Sequence, residues 1–256
     1  MTKVLVTGST QGIGRQTAME LIAHGHTVVL HARNSDSATS VLAEVPGAHA
    51  VITGDLGSLD ETRELAAAAD AIGPFDAVIH NAGVGGTPSR EITVDGLERI
   101  FQVNVVAPYL LTALMLRPSR LVVLSSGLQS SGRIDFDDLQ HSKGPWDGAQ
   151  AYADSKLLDV VLAFGLARRW ADVLTNAVDP GWIKTRMGGP HATGELDEGV
   201  RTPVWLATAL DPAAMVSGAL FKDRKQVSAS EIAHDHDVQE ELFEVCEKIT
   251  GAPLVS

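Results

Sequence analysis

Short runs of aliphatic and β-branched residues alternate along this chain with longer stretches in which apolar positions recur every three or four residues. Lys3-Val4-Leu5-Val6-Thr7 predicts a first strand, and the spacing from Gln16 to Ala23 predicts the helix after it. Further strands are predicted over 27–31, 48–53, 75–80, 121–125, 174–178 and 218–221, with helical spacing between most of them. This alternation implies parallel strands joined by right-handed helical crossovers, a doubly wound α/β sheet of about seven strands with helices on both faces. Strands covered on both sides are continuously apolar, as Leu121-Val122-Val123-Leu124 is. The Gly-, Ser-, Asp- and Pro-rich stretches 128–148 and 188–198 break both periodicities and are predicted loops. No repeat or low-complexity linker divides the chain, so its 256 residues predict one domain.

Composition narrows the function classes. With 45% hydrophobic and 20% charged residues the chain can bury a substantial core without disulfide staples. Its single cysteine, Cys246, has no partner, which points to a reducing, cytoplasmic compartment. The first strand opens at Lys3, which predicts no secretory leader, and no apolar run reaches the length of a membrane span. A net charge of −12 repels nucleic acid and anionic membranes.

The turn after the first predicted strand reads Thr7-Gly8-Ser9-Thr10-Gln11-Gly12-Ile13-Gly14. Gly8, Gly12 and Gly14 carry no Cβ to hold a pyrophosphate off the backbone, and a helix opening near Gly12 offers free N–H groups and a positive dipole end. Strand, glycine turn and helix in this order predict a Rossmann-type dinucleotide cradle. Arg33 stands just past the second predicted strand, where an acidic residue would bind a ribose 2′-hydroxyl and an arginine pairs with a 2′-phosphate. Its neighbour Asn34 adds no negative charge, so NADP(H) is expected over NAD(H).

Far downstream, Tyr152-Ala153-Asp154-Ser155-Lys156 places a phenol and an amine one helical turn apart on one face. Leu157, Val160, Val161 and Phe164 give that helix an apolar stripe for packing. An ammonium beside a phenol favours the phenolate, so Tyr152 is the candidate proton donor and acceptor. Val122-Val123-Leu124-Ser125-Ser126-Gly127 brings hydroxyls to the end of a strand.

Glycines with three residues between the first pair and one between the second, followed by this tyrosine and lysine, resemble the short-chain dehydrogenase/reductase family. The family's extended branch of epimerases and dehydratases carries glycine at position 11; Gln11 stands here instead. The resemblance runs from Val4 to about Val227 and implies roles for particular residues. Gly8, Thr10, Gln11, Gly12, Ile13 and Gly14 would hold the cofactor. Asp55-Leu56 would contact adenine, and Asn81-Ala82-Gly83 would tie the central strands and border the cofactor. Asn104 would help hold a relay water beside Lys156, which would bond the nicotinamide ribose. Ser126 would bond the reacting oxygen, with Ser125 as the alternative. From Asp179-Pro180-Gly181-Trp182-Ile183-Lys184-Thr185, the segment of Pro180, Gly181, Ile183 and Thr185 would line the nicotinamide.

The stretch from Ser126 to Tyr152 is about twice as long as many family members use. With Arg201-Thr202-Pro203-Val204-Trp205-Leu206, it is similar to the subgroup of retinol dehydrogenases and WW-domain oxidoreductases. The loops near 128–150 and 186–200 would face substrate, and Trp146, Trp182 and Met187 are candidates for an apolar pocket. His234-Asp235-His236-Asp237 is read as a solvated stretch before the last helix, and hydride chemistry needs no metal. The resemblance also implies a homodimer or homotetramer, with the long loop near the usual contact. The expected activity is hydride transfer between NADP(H) and a small or medium apolar alcohol, ketone or aldehyde. The competing expectation is a nucleotide sensor on the same fold that has no turnover.

Overall fold

The computed structural model describes residues 1–255. One eight-stranded sheet runs in the order β3-β2-β1-β4-β5-β6-β7-β8. Its strands are β1 (Lys3–Val6), β2 (Thr27–Ala32), β3 (Ala50–Thr53), β4 (Ala77–His80), β5 (Arg120–Leu124), β6 (Leu174–Val178), β7 (Leu220–Lys222) and β8 (Lys225–Val227). The first seven are parallel, with Val4 opposite Val28 on one side and Ala77 on the other.

Successive side chains of a strand point to opposite faces, and here both faces are apolar. Val4, Val6, Val28 and Leu30 join one buried cluster, together with Ala18 and Leu21 of α1 (Gly12–Ala23) and Val41 of α2 (Ser35–Glu44). Leu206 of α7 (Leu196–Thr208) belongs to the same layer. Leu5, Val29 and Val123 point the other way, into a cluster with α3 (Leu59–Ile72), α5 (Ala107–Leu114), α6 (Gly148–Arg169) and α8 (His236–Thr250). A three-residue helix, α4 (Arg99–Phe101), leads into α5. The chain winds outward from β1 in both directions, so a crevice opens between the carboxyl ends of β1 and β4, the topological switch point at which such sheets bind ligands.

The eighth strand departs from the sequence expectation of about seven. β8 pairs antiparallel with β7 through a tight turn in which Asp223 and Arg224 both adopt positive φ, 49° and 60°. That two-residue turn twists in the sense the hairpin needs, but Asp-Arg lacks the glycine that marks such turns. Lys225, Gln226 and Val227 are all exposed and form no buried face, so periodicity carried no signal.

Two helix starts bear on the crevice. Between α4 and α5 the ladder widens into a π turn, Gln102–Val106. Pro108, in the first turn of α5, has no N–H to return to the carbonyl of Asn104 four residues back, which accounts for the break. Asp147 caps α6 by accepting from Ala149 N and Gln150 N, fixing where the helix bearing Tyr152 and Lys156 begins. No described helix is long and apolar enough to cross a membrane.

His80 ends β4 fully inside, with one ring nitrogen on the Thr112 hydroxyl at 2.9 Å and the other, Nδ1, without a partner among the described residues. Burial lowers its pKa to about 4. A depressed folded-state value gives stability that is present above the unfolded value of about 6.5 and is lost as pH falls toward 4, about 3 kcal/mol in all. In urea melts, His80→Asn should lose that much less stability than wild type between pH 7 and pH 4. An equal loss would show that His80 is not the acid-sensitive group.

Candidate active site

A cleft of about 620 Å3 opens at the switch point, a size suited to a dinucleotide with a small co-substrate. Its floor is the turn after β1. Gly8 and Gly12 adopt positive φ, 62° and 55°, conformations that glycine takes without strain. Gln11 precedes α1 with no side-chain cap, and the first turn of that helix has no acidic residue. The N–H groups there face the cleft with the positive end of the helix dipole, a ready site for phosphate.

Gly14 keeps this turn closed against β4. A Cβ there would stand 2.2 Å from Asn81 Nδ2 and 2.4 Å from the Gly8 carbonyl oxygen. That same amide of Asn81 donates to the Thr7 carbonyl at 2.8 Å and the Gly8 carbonyl at 3.1 Å, clipping the ends of β1 and β4 together. Gly14→Ala should therefore weaken NADPH binding at least about tenfold and cost about 1–3 kcal/mol of stability, as overpacking does. Fluorescence titration and thermal melts measure both, and a variant with wild-type values in each would refute the clip.

His31 completes the cradle. Gly8 N donates to its Nδ1 at 2.9 Å, so that nitrogen is an acceptor and Nε2 carries the proton toward the Gly54 carbonyl, also at 2.9 Å. Burial, the largest influence, lowers its pKa and keeps the ring in this neutral state.

At the far end of the cleft stand Arg33, Asp55 and Leu56. Arg33 is exposed at the end of β2. Asn34 is engaged elsewhere: its side chain accepts from Ser37 N at 3.0 Å and caps α2. Asp55 receives Gly57 N at 2.8 Å and Ser58 caps α3, so Asp55 shapes the loop and is not the helix cap. Arg15 also reaches the cleft wall but pairs with Glu44.

Tyr152 and Lys156 sit on the opposite wall, one turn apart on α6. Tyr152 is half-buried and its hydroxyl lies 3.9 Å from the Met187 sulfur; the Lys156 Nζ lies 5.7 Å from the centre of the Tyr152 ring. Nζ donates to the Leu124 carbonyl at 2.9 Å and to Asp159 Oδ2 at 2.7 Å. A Cβ on Gly83 would lie 3.6 Å from that amine and 3.3 Å from Asn104 Oδ1, so both groups converge on the bare backbone of Gly83. Asn104 is buried in the π turn, accepts Val84 N at 2.8 Å, and donates to the Val84 carbonyl and the Ser155 hydroxyl at 3.1 and 2.9 Å. Ser125 lines the cleft, yet its hydroxyl is spent on the Lys156 carbonyl at 2.7 Å. The Ser126 hydroxyl accepts from Leu128 N at 3.2 Å at the start of a 3-10 turn, Gly127–Ser131, and still has its own proton to donate.

Residues 2–195 match the family model described as short chain dehydrogenase. The chain belongs to the short-chain dehydrogenase family. It is 41% identical to an uncharacterized oxidoreductase of Emericella nidulans over 98% of both chains. It is 33% identical to human retinol dehydrogenase 13 over 98% of this chain and 86% of that one. A solved uncharacterized protein from Mycobacterium paratuberculosis superposes with a TM-score of 0.87 at 26% identity, covering 100% of this chain and 96% of that one. A blue fluorescent protein from a metagenomic library, solved with NADPH, gives 0.69 at 26% identity over 86% and 95%. The protein is thus an NAD(P)-dependent oxidoreductase of small molecules, in a doubly wound sheet as expected.

Within this short-chain dehydrogenase, most expected cofactor contacts line the cleft: the glycine turn from Gly8 to Gly14, Arg33, Asp55, Leu56, Asn81, Ala82 and Gly83, then Pro180 and Thr185. Five expected residues lie outside the set that lines the cleft. Asn34, Asn104 and Ser126 are placed as described above. Gly181 bends the chain at φ 87°, and Ile183 turns inward against Gly194 and Gly199. Of the pocket candidates, Met187 lines the cleft. Trp146 instead bonds the Thr87 carbonyl, and Trp182 lies exposed on the Gly188 carbonyl. Asp235 caps α8 and His234 packs at a tilt against Phe164. His31, Arg99 and Arg186 join the wall without having been singled out. Only a histidine inside an otherwise apolar strand hinted at the first.

Proposed function

We propose that this protein is an NADP(H)-dependent alcohol dehydrogenase or carbonyl reductase acting on a small or medium apolar carbonyl. The observation that carries the reading is the meeting of Tyr152 and Lys156 with the glycine turn in one cleft. The cradle fits the cofactor: a Cβ at Gly8 or Gly14 would meet backbone or Asn81 within 3 Å, so the bare turn keeps space and N–H groups for a pyrophosphate. When bound, the nicotinamide supplies or accepts hydride. The residues of this chain do the rest. Tyr152 gives its phenolic proton to the carbonyl oxygen in reduction and takes the alcohol proton back in oxidation. Ser126 donates a hydrogen bond to the same oxygen and orients it. Lys156 uses two of its three N–H donors on Leu124 and Asp159, and the third is free for the ribose. The thioether of Met187 beside the Tyr152 hydroxyl supports an apolar substrate, and its unbranched side chain can adapt to several shapes.

Exposed at the end of β2, Arg33 supports NADP(H) over NAD(H). One catalytic domain with substrate-side loops near 128–150 and 186–200, working in the cytoplasm, completes the reading. Purified protein mixed with NADPH and a panel of apolar ketones and aldehydes should consume NADPH absorbance with at least one of them. Tight NADPH binding with no turnover across the panel would instead favour the sensor reading.

A further inference from the structure

Beneath the reactive pair lies a carboxylate that the reading above leaves idle. Asp159 sits one turn beyond Lys156 on α6, and both side chains are almost wholly buried, at 1% and 5% exposure. Its Oδ2 receives Lys156 Nζ at 2.7 Å, while Oδ1 finds no partner among the described residues. A buried carboxylate costs several kcal/mol unless paired. Among the described residues its hydrogen bonding is to the one ammonium. Lys156 in turn is fixed from two sides, by Asp159 and by the Leu124 carbonyl of β5, which holds its third donor toward Gly83.

We propose that Asp159 is a positioning residue that keeps Lys156 charged and aimed in a dry interior, so that a group remote from substrate sustains the ammonium beside Tyr152. Burial alone pushes the Lys156 amine down; the Asp159 charge leads the influences that oppose it, Tyr152 and the hydrogen bond add to them, and the balance lies above the ordinary lysine value. Burial raises the Asp159 carboxyl to about 6, so the pair is ionised at neutral pH and above. Other ionisable groups near α6 are engaged elsewhere. Asp179, past β6, pairs with Lys222; Glu98 caps α4; Arg120 of β5 donates to the Leu206 carbonyl. His234 packs at a tilt against Phe164, Glu240 of α8 binds Arg168 and Arg169, and Cys246 is buried uncharged.

The test is Asp159→Asn, which keeps the shape and an acceptor oxygen but removes the charge. In cofactor-free protein carrying 13C at the lysine Cε, the Lys156 resonance is assigned by its absence from Lys156→Met and followed with pH. The wild-type amine should stay charged past the ordinary lysine range, and the variant should titrate at least about one pH unit lower. Should Asp159→Asn not fold, Asp159→Ser removes the charge with a smaller side chain and should give the same displacement. Equal lysine titrations in wild type and the folded variant would overturn the proposal. The inference rests on Tyr152 and Lys156 being the reactive pair, but the resonance needs no turnover. A displaced lysine without any carbonyl reduction would sink the proposed function alone.

Discussion

Tyr152→Phe should lower kcat/KM for carbonyl reduction by about 10³-fold, the range that loss of a positioned general acid produces. NADPH affinity should stay within about twofold, because the glycine turn, Arg33 and the Lys156 amine are untouched. The ring also keeps its packing beside Met187 and Lys156, since only the hydroxyl is removed. Stopped-flow binding and steady-state rates on the same preparation separate the two effects. Full activity in this variant would remove Tyr152 as the proton donor. A loss confined to cofactor affinity would demote it to a binding residue.

Arg33→Ala should weaken NADPH about 10- to 100-fold and NADH less than about threefold. A charge-assisted hydrogen bond is worth about 1.5–3 kcal/mol, and only the 2′-phosphate offers its partner. The backbone at Arg33 stays in place because Asn34 caps α2 independently, so the variant isolates the guanidinium. Binding titrations of the four cofactor forms measure the selectivity. Equal weakening of NADPH and NADH would assign the arginine to the common part of the dinucleotide. Arg15 offers no replacement while it is held by Glu44.

The strands were legible where burial is two-sided. Leu174–Val178 matches its predicted span, and the other central strands shift by one or two residues at one or both ends, where flanking residues pair or fray. β8 was not legible because an exposed three-residue edge strand buries nothing. The site was read through ordered motifs, and the elements that carry them do converge on one cleft. What escaped depends on rotamers and long-range contacts. Whether Ser125 or Ser126 keeps a free hydroxyl turns on the Lys156 carbonyl, which lies 31 residues away along the chain. His31 reads as one more strand residue until Gly8 and Gly54 are brought to its two nitrogens. Asp159 looks like a polar interruption of the apolar stripe of α6, and its meaning appears only when both it and Lys156 are seen to be shut away from water.

The crevice lies on the seam between the strands that wind one way from β1 and those that wind the other. Neither half owns a whole wall: the glycine turn belongs to one, the phenol and amine to the other, and the Asn81 amide bridges them. During refolding, the strands and helices of either half can therefore return while chemistry does not. Recovered turnover marks the moment the two halves close on each other.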